Sequence, residues 1–432
     1  MAVSLFRRRA AAAAGTYTSI ALGFVASIAA ARLLTPNEFG LFTLVVSSLG
    51  LLQILLDLTI EEALIKFGFR YIAQEDWGRL GRLFRQTFVF KLVGALLGGL
   101  ALLGLAAVSE RVFGTSRLEV PLVVAAANPL LQAPEGMAAT ALFLRGRYDA
   151  RGWFLALSMG LRLLAIVVAA PHGVTATVAG IVVAQGVTSA CIGVAGAAAF
   201  RRFPRVTHRP LGEDARLIRR FIVQSSAATG VASLRGTLTP LVLGIVSTVR
   251  EVSYFRVAMA PQSGLNAVSA PVRMVLLTEQ TRDWEHGELE RVFAGIRRYT
   301  LAAALGSLVA LPPLLAFMGP LVRILFGAQY LGAVGPARII LVAGAVQLVV
   351  GWSKSFAVTS GRPHLRVWTY GLETAVLLPL ALALGGRWGA TGGAVAVLAS
   401  SIAFAATWVV LFARIRRHER LRPLSVARQA GA

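Results

Sequence analysis

The stretch Thr35-Pro36-Asn37-Glu38-Phe39-Gly40-Leu41-Phe42 returns 213 residues later as Thr248-Val249-Arg250-Glu251-Val252-Ser253-Tyr254-Phe255, with threonine, glutamate and the closing phenylalanine in register. Working outward, Val112-Phe113-Gly114 aligns with Leu325-Phe326-Gly327 at the same offset. Gly146-Arg147, Arg151 and Trp153 recur as Gly361-Arg362, Arg366 and Trp368 at an offset of 215, and Gly173-Val174-Thr175 recurs as Gly389-Ala390-Thr391 at 216. Each match is short, but all fall in order with the drift that small insertions produce. The chain therefore reads as two copies of one unit, and self-similarity of this kind decides the architecture before any motif does.

The material that fills each copy points to a bilayer. Of the 432 residues 56% are hydrophobic and 15% charged, against roughly 25% charged in soluble domains. The apolar residues arrive in charge-poor runs near twenty long, about what a helix needs to cross ~30 Å of hydrocarbon. Twelve such spans are expected, near 10–31, 39–60, 87–108, 120–144, 153–170, 175–200, 221–245, 253–277, 299–318, 336–358, 367–385 and 390–413. Six spans per copy is an even number, so both copies enter the membrane from the same side, a parallel repeat about an axis along the membrane normal. The expected fold is an all-α polytopic membrane protein of about twelve transmembrane helices in two six-helix bundles. The N-terminal bundle occupies 1–200, a basic linker 201–220, the C-terminal bundle 221–413 and a basic tail 414–432.

The formal charge of +23 suggests nucleic acid only until its distribution is read. With the N-terminus placed in the cytoplasm, the cytoplasmic segments hold 30 of the 43 Lys and Arg residues, against 7 on the outer side, Arg338 at the edge of span ten among them. That is the positive-inside bias. It accounts for the charge without a nucleic-acid partner and puts both termini and the 201–220 linker in the cytoplasm. Arg7 to Arg9 followed by an apolar run mimic a signal peptide, but the run exceeds the about 7 to 15 residues of an h-region, so the first span is read as a retained helix. The single cysteine, Cys191, excludes an intramolecular disulfide and a cysteine metal cluster. The five histidines have no ligand spacing, and neither a phosphate-binding G-x-x-x-x-G-K-[ST] loop nor a nucleophile elbow is present. The expectation is a protein that is not an enzyme, with no metal and no cofactor, its coupling to a proton or Na+ left open.

The stretch Ala31-Arg32-Leu33-Leu34-Thr35-Pro36-Asn37-Glu38-Phe39-Gly40-Leu41-Phe42 resembles the first-loop signature of bacterial polysaccharide biosynthesis proteins, oligosaccharide flippases of the multidrug/oligosaccharidyl-lipid/polysaccharide (MOP) exporter superfamily. Leu325-Phe326-Gly327-Ala328-Gln329-Tyr330 and Trp388-Gly389-Ala390-Thr391-Gly392 add to the resemblance, which runs the length of the chain. It implies a fold like that of the MATE transporters, two six-helix bundles around a central cavity. It also implies movement of undecaprenyl-pyrophosphate-linked oligosaccharide to the outer leaflet for O-antigen, capsule or exopolysaccharide. The implied partners are that lipid-linked oligosaccharide, membrane lipids, a polysaccharide polymerase and glycosyltransferases.

Ionisable residues inside a span are costly and mark functional paths. Arg162 and Arg235 lie about midway along spans five and seven, too deep for an arginine stem to reach an interface. One reading gives them a pyrophosphate, which the guanidinium fork suits; the other gives them a carboxylate on a neighbouring helix. Arg256 and Arg273, near opposite ends of span eight, are either further substrate-binding groups or side chains snorkelling to the two headgroup layers. In span four Asn128, Gln132 and Glu135 fall four and three apart, on one helix face, broken by Pro129 and Pro134, as a cavity lining would be. Glu135 is either a coupling site or the partner of Arg162 or Arg235. Glu373 in span eleven is the other deep carboxylate, and Asp57 and Glu61 are expected to pair with Lys66 or Arg70 near the cytoplasmic face. Hydroxyls and amides in spans seven and eight serve helix packing or sugar contacts. The competing functions are a cation-coupled multidrug exporter, which calls for a carboxylate-dominated cavity, and a non-transporting scaffold for glycan assembly.

Overall fold

The computed structural model describes residues 2–56, 60–362 and 364–429. Among them there is no strand; the chain is a succession of helices, an all-α polytopic membrane protein. It divides into two compact units, 1–245 and 246–432.

The first unit opens with α1 (Ala2–Leu33), α2 (Pro36–Leu56), α3 (Ile60–Ala73) and α4 (Trp77–Ala107). Short α5 (Ser109–Phe113) leads into span four, which is built of three pieces, α6 (Glu119–Ala125), α7 (Asn128–Gln132) and α8 (Glu135–Leu144). Then follow α9 (Tyr148–Ala169), α10 (Val174–Phe200) and α11 (Asp214–Val246), which ends at the boundary. Proline explains the breaks in span four, since Pro129 and Pro134 each remove an N–H from the helical ladder and crowd the preceding turn. The second unit contains α12 (Val249–Ala258), α13 (Ala260–Glu285), α14 (Leu289–Ala316), α15 (Met318–Leu325), α16 (Val334–Val349), α17 (Ser353–Thr359) and α18 (His364–Gln429). Span ten is divided between α16 and α17, and α18 contains spans eleven and twelve, with Gly389 at φ 56°, ψ −131° breaking it between them. Eight described helices are long and apolar enough to cross a membrane, the last, His364–His418, long enough for two spans. Span four escapes that measure because it is broken into three pieces.

The backbone carries the repeat. Nine described residues have a left-handed φ, and eight form four pairs: Glu75 with Gly287, Gly114 with Gly327, Gly146 with Gly361 and Gly173 with Gly389. Only Gly212, in the linker, stands outside them. The turns match bond by bond. Glu75 N–H donates to Ile72 O and Asp76 N–H to Tyr71 O, while Gly287 N–H donates to Trp284 O and Glu288 N–H to Asp283 O. Glu75 sits where a glycine would be unstrained.

The stretch that opens the repeat has a mechanical purpose. Thr35 caps α2, accepting from Glu38 N–H at 3.3 Å, while Glu38 Oε2 accepts from Thr35 N–H at 3.0 Å, a reciprocal capping box. Thr248 accepts from Glu251 N–H at 3.3 Å at the start of α12. Glu251 also reaches across its unit, its Oε2 accepting from Ala390 N–H at 2.8 Å. In the first unit a Cβ on Gly173 would lie 3.5 Å from Glu38 Oε1. In each copy a capping glutamate therefore meets the glycine that starts the copy's sixth span.

The cores also correspond. In the first unit Leu80, Leu83, Phe84, Ala138, Leu142, Ile192 and Ala199 pack between α4, α8 and α10, with Phe84 and Phe200 at 4.6 Å between ring centroids. In the second, Val292, Phe293, Trp352, Phe356, Phe404 and Trp408 pack between α14, α17 and α18, with Trp352 and Phe412 at 4.9 Å. Outside these cores large apolar side chains face outward, among them Leu100, Leu164, Val194, Leu308 and Val309. An exposed apolar surface of this extent is a lipid-facing one. Trp153 and Trp368, paired by the repeat, are both exposed.

Candidate functional site

The break in span four lets polar side chains from six elements converge inside the first unit. A cavity of about 190 Å3 is lined by Gln53, Glu61, Lys91, Gln132, Glu135 and Arg151, with Gly136, Phe154 and Ile192 among the rest of its wall. A smaller one, about 60 Å3, shares Gln53, Lys91 and Gln132 and adds Asn128 and Pro129. Lys91 on α4 is buried, and its Nζ donates to Glu61 Oε1 on α3 at 2.7 Å. Such a pair persists in an apolar surround only because each charge neutralises the other. The contact depends on Gly136: any Cβ there would overlap the Glu61 carboxylate. Glu135 Oε2 accepts from Gln185 Nε2 on α10 at 2.7 Å, and the same nitrogen donates to Ser189 Oγ at 2.9 Å. Gln185 thus commits both amide hydrogens and holds the carboxylate in place.

The site contains two carboxylates, Glu61 and Glu135, and two cations, Lys91 and Arg151. Its volume is below the ~300 Å3 at which pockets begin to take small organic molecules, and at ~30 Å3 per water it holds several waters or a hydrated ion. An oligosaccharide does not fit. The arrangement can bind, exchange and relay small charges.

In the second unit an analogous network is buried. Gln347 Nε2 on α16 donates to Glu373 Oε1 at 3.0 Å and to Ser401 Oγ at 3.0 Å, and Gln262 Nε2 lies 3.5 Å from Gln347 Oε1. Glu135 with Gln185 joins spans four and six; Gln347 with Ser401 joins spans ten and twelve, at offsets of 212 and 216. The repeat carries its polar staple as well as its loops.

Of the residues singled out in the sequence, Gln132 and Glu135 meet at the larger cavity and Asn128 and Gln132 at the smaller, although α7 and α8 are separate pieces rather than one face of a continuous helix. Glu373 belongs to the second unit's network. Arg162 is half-buried on α9, on the stripe of Arg151 and Leu155, at spacings of four and seven. Those two line the cavity, and Arg162 stands about 16 Å along the helix from Arg151 at ~1.5 Å per residue. Arg256 is exposed on α12. Arg235 and Arg273 lie on α11 and α13, but their side chains, and all of Asp57, fall outside the described residues.

Glu61 corrects its expected pairing. It joins Lys91 rather than Lys66 or Arg70, because α3 folds back along α4 and turns Glu61 inward. Lys66 instead lies over the Phe221 ring at 4.4 Å, and Arg70 Nη1 is 3.4 Å from Asp214 Oδ1. Asp214, buried at the start of α11, also accepts from Tyr71 Oη at 3.1 Å and has Arg79 Nη1 at 3.6 Å. Burial first, then that hydrogen bond, pushes the Tyr71 phenol up to about 12. Gln53, Gln185, Ser189, Gln347 and Ser401 were passed over in the sequence; a lone amide in an otherwise apolar span was the available signal.

Residues 29–335 match the family described as polysaccharide biosynthesis protein. No curated protein matches the chain by sequence. Among solved structures, an inward-facing multidrug resistance MATE family transporter of the MOP superfamily is similar at a TM-score of 0.76 and 14% identity, over 93% of this chain and 94% of that one. The lipid II flippase MurJ in an inward closed conformation gives 0.73 at 12%, over 91% and 86%. A MOP superfamily transporter from Pyrococcus furiosus, whose binding pocket is described as reversed in polarity, gives 0.60 at 12%, over 96% and 95%. Likeness at such identities establishes a shared MATE-like fold.

Proposed function

The chain belongs to the polysaccharide biosynthesis protein family, and from that premise we propose that this MOP-superfamily transporter moves an undecaprenyl-pyrophosphate-linked oligosaccharide across the bacterial inner membrane by alternating access. The family match over 29–335 carries the reading. The buried polar site at the broken fourth span supports it, since discontinuous helices place binding and coupling groups at mid-membrane in transporters. Arg162 and Arg235, midway along their spans, hold the pyrophosphate, with Arg256 and Arg273 as further cationic contacts on its path. Glu135, fixed by Gln185, is the coupling carboxylate for a proton or Na+.

A cation-coupled drug exporter is the second reading. It calls for a cavity dominated by carboxylates, whereas here Glu61 and Glu135 are matched by Lys91 and Arg151, which favours the flippase. A scaffold has no need of a charge-bearing site buried in a broken span.

The test is surface glycan in a strain depending on this protein. Arg162→Ala and Arg235→Ala should abolish it at normal protein level, and Arg→Lys should restore only part, because an ammonium keeps the charge but loses the bidentate fork. Wild-type export by both alanine variants would remove the arginines from the headgroup's path.

A further inference from the structure

Beside the transport site, on the opposite side of α8 and α10, the first unit carries a second cavity of a different character. This groove, about 370 Å3, runs between α4, α8 and α10 and is walled by Phe84, Phe88, Met137 and Phe200 together with alanines and glycines. Its only charged or titratable lining residues are Arg85 and His208. Both stand at the end beside the 201–213 linker. From Gly81 to Phe88 it extends about 10 Å at ~1.5 Å per residue.

Three observations say what fits it. The mouth opens between lipid-facing surfaces, for Phe88 on one wall is 41% exposed and Val194, next to Gly193 on the other, is 73% exposed. A Cβ on Gly193 would meet nothing within 4 Å, so the hollow is real space beside α10. The basic end is built rather than incidental. Arg209 N–H donates to Gly78 O at 3.2 Å, seating the linker on α4, and Gly78 and Gly81 lack side chains where Thr207 O and His208 Nδ1 would lie 2.9 and 2.6 Å from a Cβ.

We propose that this groove is a binding site for an anionic glycerophospholipid of the leaflet beside the linker, with one acyl chain between α4, α8 and α10 and the phosphate at Arg85 and His208. The apolar walls suit an acyl chain rather than a soluble anion, and the Arg85 charge distinguishes an anionic lipid from a zwitterionic one, a Lys or Arg near a membrane surface favouring negative charge, with the His208 ring as a hydrogen-bonding partner for the phosphate. A groove of about 10 Å, within a leaflet of ~15 Å, matches part of one acyl chain rather than a long polyprenyl carrier. The site is separate from the Glu61, Lys91 and Glu135 cavity and does not depend on the substrate assigned above.

Native mass spectrometry of the full chain, released from vesicles of equal parts phosphatidylglycerol and phosphatidylcholine, tests it. The wild type should retain phosphatidylglycerol over phosphatidylcholine by about fivefold. Arg85→Glu combined with His208→Ala should bring that ratio to near one. Gly193→Leu should lose the retained lipid, and Ala197→Leu, filling the same groove from an exposed position, should do likewise. Gly306→Leu, the same change at an open, exposed glycine on α14, should retain lipid as the wild type does. Equal retention of the two lipids by the wild type, or undiminished retention by folded Gly193→Leu and Ala197→Leu, would overturn the assignment.

Discussion

Lys91 brings a charge to a place where 5% of its side chain is exposed, and the Glu61 carboxylate 2.7 Å away makes that tolerable. Removing one partner of a buried pair typically costs about 3 to 5 kcal/mol, because the other charge is left without it, while replacing both is far milder. Glu61→Gln should therefore lower the midpoint of thermal unfolding in detergent substantially, and Glu61→Gln with Lys91→Met should recover most of the loss. If the double variant is as unstable as the single, the pair is not what stabilises α3 against α4. Tyr71 supplies a pH dependence. Its folded-state pKa of about 12 lies above the ordinary phenol value of 10.0, so the protonated phenol is the form the fold prefers. Its stabilisation is complete below pH 10 and lost between about 10 and 12. Tyr71→Phe should flatten the stability profile in that window and cost about 1 kcal/mol at neutral pH, as loss of one hydrogen bond does. A profile unchanged by the substitution would rule out the Asp214 contact. Asn128, Gln132 and Glu135 drew attention by their helical spacing, although the chain breaks between Gln132 and Glu135, whereas Glu61 and Lys91, thirty residues apart, gave no such signal, since only the α3–α4 hairpin turns one towards the other.

At the scale of the element, the repeated glutamates join helix starts to loops far along the chain. The backbone N–H of Glu251 donates to Thr248 Oγ1 at the start of α12, and the Glu251 carboxylate accepts from Ala390 N–H beyond the Gly389 break. A lost cap costs about 1 kcal/mol and the cross-element bond a similar amount. Thr248→Ala, which removes the cap, and Glu251→Ala, which removes the Ala390 bond, should thus each destabilise by about 1 kcal/mol in an unfolding titration. No loss from Glu251→Ala would mean that the Ala390 bond contributes nothing. The twelve spans followed from hydropathy alone. That span four is three pieces and span ten two required the structure in part: Pro129 and Pro134 announced the first, while the second has no proline at its break, and α16 ends in the sequence Val349-Val350-Gly351.

At the scale of the whole molecule, the question is which face meets which side of the membrane. The basic asymmetry predicts a cytoplasmic linker and an outer loop at His172. With Cys191 replaced, a cysteine at His172 should react with an impermeant maleimide in intact cells and one at Arg205 should not, both positions being exposed. Leu211, also in the linker, is buried and unsuited to the purpose. The reverse labelling would invert the topology and move the Arg85 and His208 end of the lipid groove to the outer leaflet.

Hydrophobic run length and basic bias are local quantities summed along the chain, so the sequence by itself determined the membrane class, the all-helical fold and the repeat of its loops. The repeat was legible because loop residues with special backbone demands, such as Gly146 and Gly361 or Gly173 and Gly389, cannot be exchanged freely. Pairings between side chains are set by how helices rotate and approach, which no periodicity encodes. Only the tertiary structure therefore joined Glu61 to Lys91, Glu135 to Gln185 and Gln347 to Ser401, and opened an apolar groove at Gly193, a residue whose lack of a side chain leaves no trace in hydropathy but leaves a hollow between packed helices.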